Sequence, residues 1–138
     1  MHFQNTWKAV LNGTKTQTRY PVQTGDNAEL DQSGNIIRVT HQAEFGPPKE
    51  LFAVGKSYPV QAGVGQKTAG RITVTAIRRE PLQAISATDL PQELPPAPED
   101  EAETTPETFQ AHWDSLHPNQ PWQDNPEVWV VEFKLPFS

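Results

Sequence analysis

The 138-residue chain contains no cysteine, and its longest unbroken apolar run is only a few residues long. The first absence excludes a disulfide framework, a thiolate nucleophile and any cysteine-based zinc site. The second excludes a membrane-spanning helix. Residues 1–13 have neither the basic start nor the continuous apolar core of a secretory signal, so a cytoplasmic protein is the expectation. Apolar residues make up only 35% of the chain. Basic residues are scarce in its last part: residues 89–138 hold one Lys or Arg against eleven Asp or Glu, whereas residues 1–88 hold ten against six. The formal net charge of −6 therefore describes a mildly basic body with an acidic excursion. That distribution excludes a large duplex-DNA surface and leaves room for a local basic pocket that takes one nucleotide.

Proline, by contrast, is abundant, with 14 residues alongside eight glycines. A domain of this length buries roughly 68% of its unfolded surface, so a single domain over residues 1–138 with a long irregular segment is expected. Phe3, Trp7, Val10 and Leu11 recur at helical spacing over residues 3–12, and Gly13 stands where a C-terminal cap belongs. A polar segment follows, closed by Pro21. Residues 27–50 read as an insertion or hairpin region, with a β-prone run at Ile36–Val39 between turn signals. Residues 56–62 read as an edge strand because Pro59 interrupts them. A glycine-containing loop over 63–70 leads to Arg71–Arg79, where Ile72, Val74 and Ala76 alternate with Arg71, Thr73 and Thr75.

Ser86–Asp89 is suited to start a helix of one or two turns. Residues 94–105 form an acidic, proline-rich loop. Thr105 and Pro106 then make an N-cap and first-turn proline for a helix carrying Phe109, Trp113 and Leu116. Glu127–Leu135 reads as a strand with Trp129, Val131, Phe133 and Leu135 on one face. Strands outnumber helices without βαβ alternation, which argues α+β with a small mixed or barrel-like sheet. Trp7, Ile72, Val74, Trp113, Trp129 and Phe133 are the expected core.

Several familiar signals fail. Gly63–Thr68 lacks the spacing of a phosphate-binding loop, and no Gly-x-Ser-x-Gly elbow is present. His112 and His117 are five residues apart, a spacing that does not share a helix face well. The unusual group is Lys15, Thr18 and Arg19. Read as a turn after a helix, it puts an amine, a hydroxyl and a guanidinium on one side. It is either a solvated turn or a site where a buried Lys15 takes a proton from Thr18 or from water and Arg19 binds an anionic or carbonyl group.

The stretch Gly13-Thr-Lys-Thr-Gln-Thr-Arg19, after an amphipathic N-terminal helix, resembles the signature of ASCH domains, the activating-signal-cointegrator homology group of PUA-like folds. Gly55–Gln61 and Gly70–Glu80 are similar to that family's central strands, and Phe109-x-x-x-Trp113 and Pro126–Phe133 to its last helix and final strand. The resemblance spans nearly the whole chain except residues 27–50 and 94–105. It implies a PUA-like/ASCH small mixed β-barrel with flanking helices and a cleft for a nucleoside or single-stranded RNA. Some small members are amidohydrolases that remove the acetyl group from N4-acetylcytidine. By that resemblance Lys15 is the proton acceptor, Thr18 the nucleophile and Glu93 the proton donor, with neither metal nor cofactor. Arg19 and Tyr20 would hold the substrate.

Two features depart from the family pattern. Arg19 is followed by Tyr20 rather than a second arginine, and Glu93 sits in Leu90-Pro-Gln-Glu93-Leu without a following glycine. Glu80 and Asp89 are the substitutes for Glu93. The alternative function is a non-catalytic RNA-binding module in which Arg19, Lys67, Arg71, Arg78 and Arg79 line a groove and Tyr20 or Tyr58 stacks on a base. A ribonuclease ranks last, because it needs a histidine or acidic cluster that the sequence does not display.

Overall fold

The structure, a computed structural model, describes residues 7–61, 67–95 and 104–135. The first described helix, α1 (Trp7–Leu11), buries Val10. It stops because Gly13 takes a left-handed conformation at φ +83°, its N–H bonded to Val10 O at 3.2 Å. The chain then runs directly into a strand, β1 (Gln17–Pro21). Two hairpin strands follow, β2 (Asp26–Leu30) and β3 (Ile36–His41), and then β4 (Lys49–Ala53) and β5 (Ser57–Gln61). The long β6 (Thr68–Pro81), the short helix α2 (Leu90–Glu93), the helix α3 (Pro106–Leu116) and β7 (Glu127–Lys134) complete the order.

The seven strands among the described residues pair antiparallel in one sheet, in the order β1-β7-β6-β3-β2, with β4 on β3 and β5 on β6. The fold is therefore α+β, mostly antiparallel sheet with few helices. Strand β7 lies between β1 and β6 and is buried on both faces. Trwo rows explain why: Trp129 and Val131 join Val39, Phe52, Val74 and Ile77 in one cluster, while Val128 and Val130 pack under α3 with Phe109, Trp113, Leu82 and Leu90. A third cluster joins Val10 to Val60, Ile72 and Phe133. Each fully buried aliphatic side chain of this kind contributes about 1.5–3 kcal/mol.

The β5, β6, β7 and α3 expectations agree with these elements. Thr105 caps α3, its hydroxyl accepting from Thr108 N at 3.1 Å. Three points differ. The register of β6 shifts between Val74 and Ala76, so Ile77 rather than Ala76 continues the buried row. Trp7 is only half-buried, packed against the rim of the third cluster. Strands β2 and β4 flank β3 in the region read as an insertion or hairpin, where Ile36–Val39 was the one β-prone run identified. Gly25 permits the tight start of the β2–β3 hairpin: at φ +97° a Cβ there would meet Gln42 O at 2.4 Å. Phe3, residues 63–66 of the loop expected at 63–70, and residues 96–103 of that expected at 94–105 lie outside the described residues; Thr68–Gly70, expected in the first of these loops, begin β6.

Candidate active site

Strand β1 positions the chemistry, and its period of two decides which side chains meet. Gln17 pairs with Glu132 and Arg19 with Val130, so both face the α3 side of the sheet; buried Lys15 continues that row. Thr18 pairs with Val131 and Tyr20 with Trp129, so both face the opposite side. This corrects the expectation that Lys15, Thr18 and Arg19 share one side of a turn. The segment is a strand, and Thr18 is on the other face.

The outer edge of β1 is covered by α2. Thr16 N donates to Gln92 O at 2.9 Å, and Arg19 N donates to the Glu93 carboxylate Oε2 at 3.2 Å. Helix α2 is held there by Leu90, buried in the cluster beneath α3, which leaves Glu93, three residues on, turned to β1. Pro91 is tolerated because the first turn of a helix has no intrahelical partner for its N–H groups. Ser86 Oγ accepts from Asp89 N at 3.1 Å and fixes the entry to this turn.

Glu93, 6% exposed, thus lies against Lys15, 3% exposed. Lys15 Nζ donates to Gln17 O at 2.8 Å, to Glu93 Oε2 at 3.1 Å, and to the Glu93 carbonyl. Arg19 NH1 donates to Glu93 Oε1 at 2.9 Å and to the Gln17 side-chain carbonyl, while NH2 reaches Glu80 at 3.2 Å and Asp89 at 3.3 Å. Arg78 joins from β6, bonded to Glu80 at 3.0 Å and Asp89 at 3.1 Å, with Glu132 at 3.3 Å. Gln17 Nε2 closes the network onto Asp89 at 3.2 Å and Gln92 at 2.9 Å. The cluster sets three cations, Lys15, Arg19 and Arg78, among the carboxylates of Glu80, Asp89, Glu93 and Glu132.

Burial pushes the Lys15 amine below its ordinary value, opposed by the charge and hydrogen bond of Glu93 and assisted by Arg19. Burial also pushes Asp89 up, but hydrogen bonds from Gln17 and Ser86 and the charges of Arg78 and Arg19 outweigh it, leaving that carboxyl lowered. On the other face of β1, burial and then the charge of Glu93 raise the Tyr20 phenol, and a hydrogen bond with Thr18 opposes them. The field of Glu93, at the strand edge, therefore acts on both faces.

Tyr20 lines a cleft of about 740 Å³ with Phe52, Tyr58 and Trp129, and His117 and Gln120 come from beyond α3. This volume is within the range of about 300–1,000 Å³ usual for small-molecule sites. Tyr20 stacks on Phe52 with ring centres 5.5 Å apart. The chain matches no protein-family model, and comparison with curated proteins and with solved structures likewise yields no match. The site must be read from its own geometry.

That geometry joins Lys15, Arg19, Glu93 and Arg78 and places Tyr20 at the cleft. Both substitutes for Glu93, namely Glu80 and Asp89, belong to the same cluster as Glu93 itself. Lys67 and Arg71 are not brought in: both are exposed near the start of β6, Arg71 bonded to Ser57 O at 3.2 Å. Arg71 and Arg78 are seven positions apart along the strand, roughly 20 Å or more at the usual rise. Arg78 and Arg79 are adjacent and point to opposite faces; Arg79 lies over the Trp129 ring at 5.4 Å. Sequence reasoning missed Gln17, which is fully buried, and weighed His117 only as a partner of His112. Counting in twos from Lys15 through Gln17 to Arg19 finds the first; nothing local marks the second.

Proposed function

We propose that the chain is an ASCH-like amidohydrolase, its sheet curved as a PUA-like barrel, acting on N4-acetylcytidine or a related N-acylated nucleoside or base. The observation that supports this most is the Lys15–Glu93 pair: two ionisable groups 78 residues apart, both buried, brought to 3.1 Å on the α3 side of β1, the strand whose Tyr20 lines the cleft on the other side. Amide hydrolysis needs an oxygen nucleophile that gives up a proton and a leaving amine that gains one. Burial favours the neutral amine of Lys15, the form that accepts a proton. In this reading the Thr18 hydroxyl, or a water, attacks the acetyl carbonyl carbon. Lys15 takes the nucleophile's proton and passes it across their 3.1 Å contact to the Glu93 carboxylate, which delivers it to the departing N4. Where Thr18 is the nucleophile, a water then releases acetate from it.

Thr18 and Lys15 are on opposite faces of β1, so the proton must pass the strand edge, where Glu93 stands. Arg19 is a positioning residue: its backbone N–H and NH1 hold the two oxygens of Glu93 at 3.2 and 2.9 Å. The substrate would sit in the cleft against Tyr20.

The test is conversion of N4-acetylcytidine to cytidine by the purified protein and by Lys15→Met, which keeps the length of the side chain without its amine. The expected outcome is turnover by the wild type and none by a variant with an unchanged circular dichroism spectrum. A folded wild type with no turnover would overturn the reading. An RNA-binding module without catalysis is the weaker reading, because Arg19 is enclosed and Arg78 is engaged by three carboxylates, leaving neither for a phosphate backbone.

A further inference from the structure

His117 is the half-buried residue that ends α3, its backbone N–H bonded to Trp113 O at 2.8 Å. Its ring lies 4.1 Å from the Trp113 ring. Trp113 is itself fixed, 3% exposed and with its indole N–H donated to Gln120 O at 2.8 Å. The imidazole is therefore held on a rigid platform at the cleft wall. Among the described residues, neither of its ring nitrogens has a hydrogen-bond partner.

The groups facing it are accounted for. Burial lowers the His117 pKa, His112 on the same helix lowers it further, and Glu93 from α2 opposes both, so the ring is neutral at neutral pH. Around the rest of the cleft, Asp26 is taken up by His41 at 2.7 Å and the Trp129 indole at 3.0 Å. Glu50 is paired with Lys56 and Arg38, and Lys49 stands exposed at the rim. The same cleft is lined by the stacked pair Tyr20–Phe52 with Tyr58 and Trp129. A neutral imidazole has one donor and one acceptor nitrogen, and a flat aromatic wall takes a planar ring.

We propose that His117 is a substrate-contacting specificity residue: it hydrogen-bonds the edge of an uncharged, planar heterocycle that packs against the Tyr20–Phe52 wall. The choice of a nucleoside as that heterocycle rests on the proposed function; the role of His117 does not require the hydrolytic step.

The experiment measures binding of cytidine, which carries no acetyl group to lose, by quenching of tryptophan fluorescence. His117→Phe keeps a stacking ring and removes both nitrogens; His117→Asn restores a donor and an acceptor. We expect His117→Phe to weaken cytidine binding at least tenfold with an unchanged melting temperature, and His117→Asn to recover part of the loss. In the wild type, the His117 Cε1–H resonance should shift on adding cytidine, which needs no variant to fold. Equal affinity in wild type and His117→Phe, an unmoved resonance, or no cytidine binding by the wild type would each overturn the inference. Binding that depends on His117 without turnover of N4-acetylcytidine would remove the hydrolase and leave this site standing. Turnover with an unchanged KM in His117→Phe would do the reverse.

Discussion

Two clusters of charge in the same sheet use the same residue types at similar distances and differ in where they sit. On the β2–β4 side, Arg38 meets Glu29 at 2.6 Å and Glu50 at 3.0 Å, and Lys56 meets Glu50 at 2.7 Å, with all four side chains open to water. At the β1 edge, Lys15 and Arg19 meet Glu93 at 3.1 and 2.9 Å with almost no access to solvent. Separation alone would rank two of the three exposed pairs first. Water reverses that order of consequence: exposed pairs are screened and replaceable by hydration, whereas a buried charge that loses its partner has no substitute. The exposed cluster dresses a surface. The enclosed one commits the protein to holding charge where a lone amine would shed its proton.

The comparison can be broken most forcefully at Glu93. Glu93→Ala leaves Lys15 and Arg19 enclosed without their common carboxylate, and removing one partner of a buried pair costs about 3–5 kcal/mol. Urea unfolding should register that loss, together with loss of turnover. The next effect belongs to Lys15. Because its folded pKa lies below the ordinary 10.5, the unfolded chain holds this proton more tightly across the interval between the two values. The folded state therefore gains stability as pH rises through that interval, by about 1.4 kcal/mol for each unit of depression. Wild type should gain on Lys15→Met between neutral and alkaline pH in paired urea melts; a constant gap would show that Lys15 is not desolvated.

A neutral reference lies between the clusters. Thr105→Ala removes the α3 cap and should cost about 1 kcal/mol, insensitive to salt. Smallest is Arg38→Ala, expected to cost about 0.2–1 kcal/mol and to lose even that in molar salt. If Arg38→Ala rivalled Glu93→Ala in a denaturant melt, burial would not be what separates the two clusters.

The elements legible in the sequence are those whose pattern carries a strong local signal. Thr105-Pro106 with Phe109 and Trp113 gives α3, and alternation gives β6 and β7. Strands β2 and β4 were not legible because Asp26–Leu30 is mostly exposed and Lys49–Ala53 does not alternate in burial, so neither shows a period of two. The Val74–Ala76 irregularity is likewise silent, since Ala76 and Ile77 are both apolar. At the site, Lys15 and Arg19 stand out locally, but whether Glu93 turns inward depends on Leu90 anchoring α2, a contact between distant parts of the chain. The misplacement of Thr18 has a simple physical source: reading 14–20 as a turn groups side chains that a strand sends to opposite faces.

The position of Glu93 has one more consequence, for how copies of the molecule meet. A terminal strand ordinarily presents a ladder of unused N–H and C=O groups to any strand that drifts past. The N–H groups of Arg19 on β1 and of Thr16 just before it are already taken by the Glu93 carboxylate and Gln92 O. A carboxylate on a short helix thus finishes the sheet as a selvedge finishes cloth, and losing it would leave an edge along which one molecule could be stitched to the next.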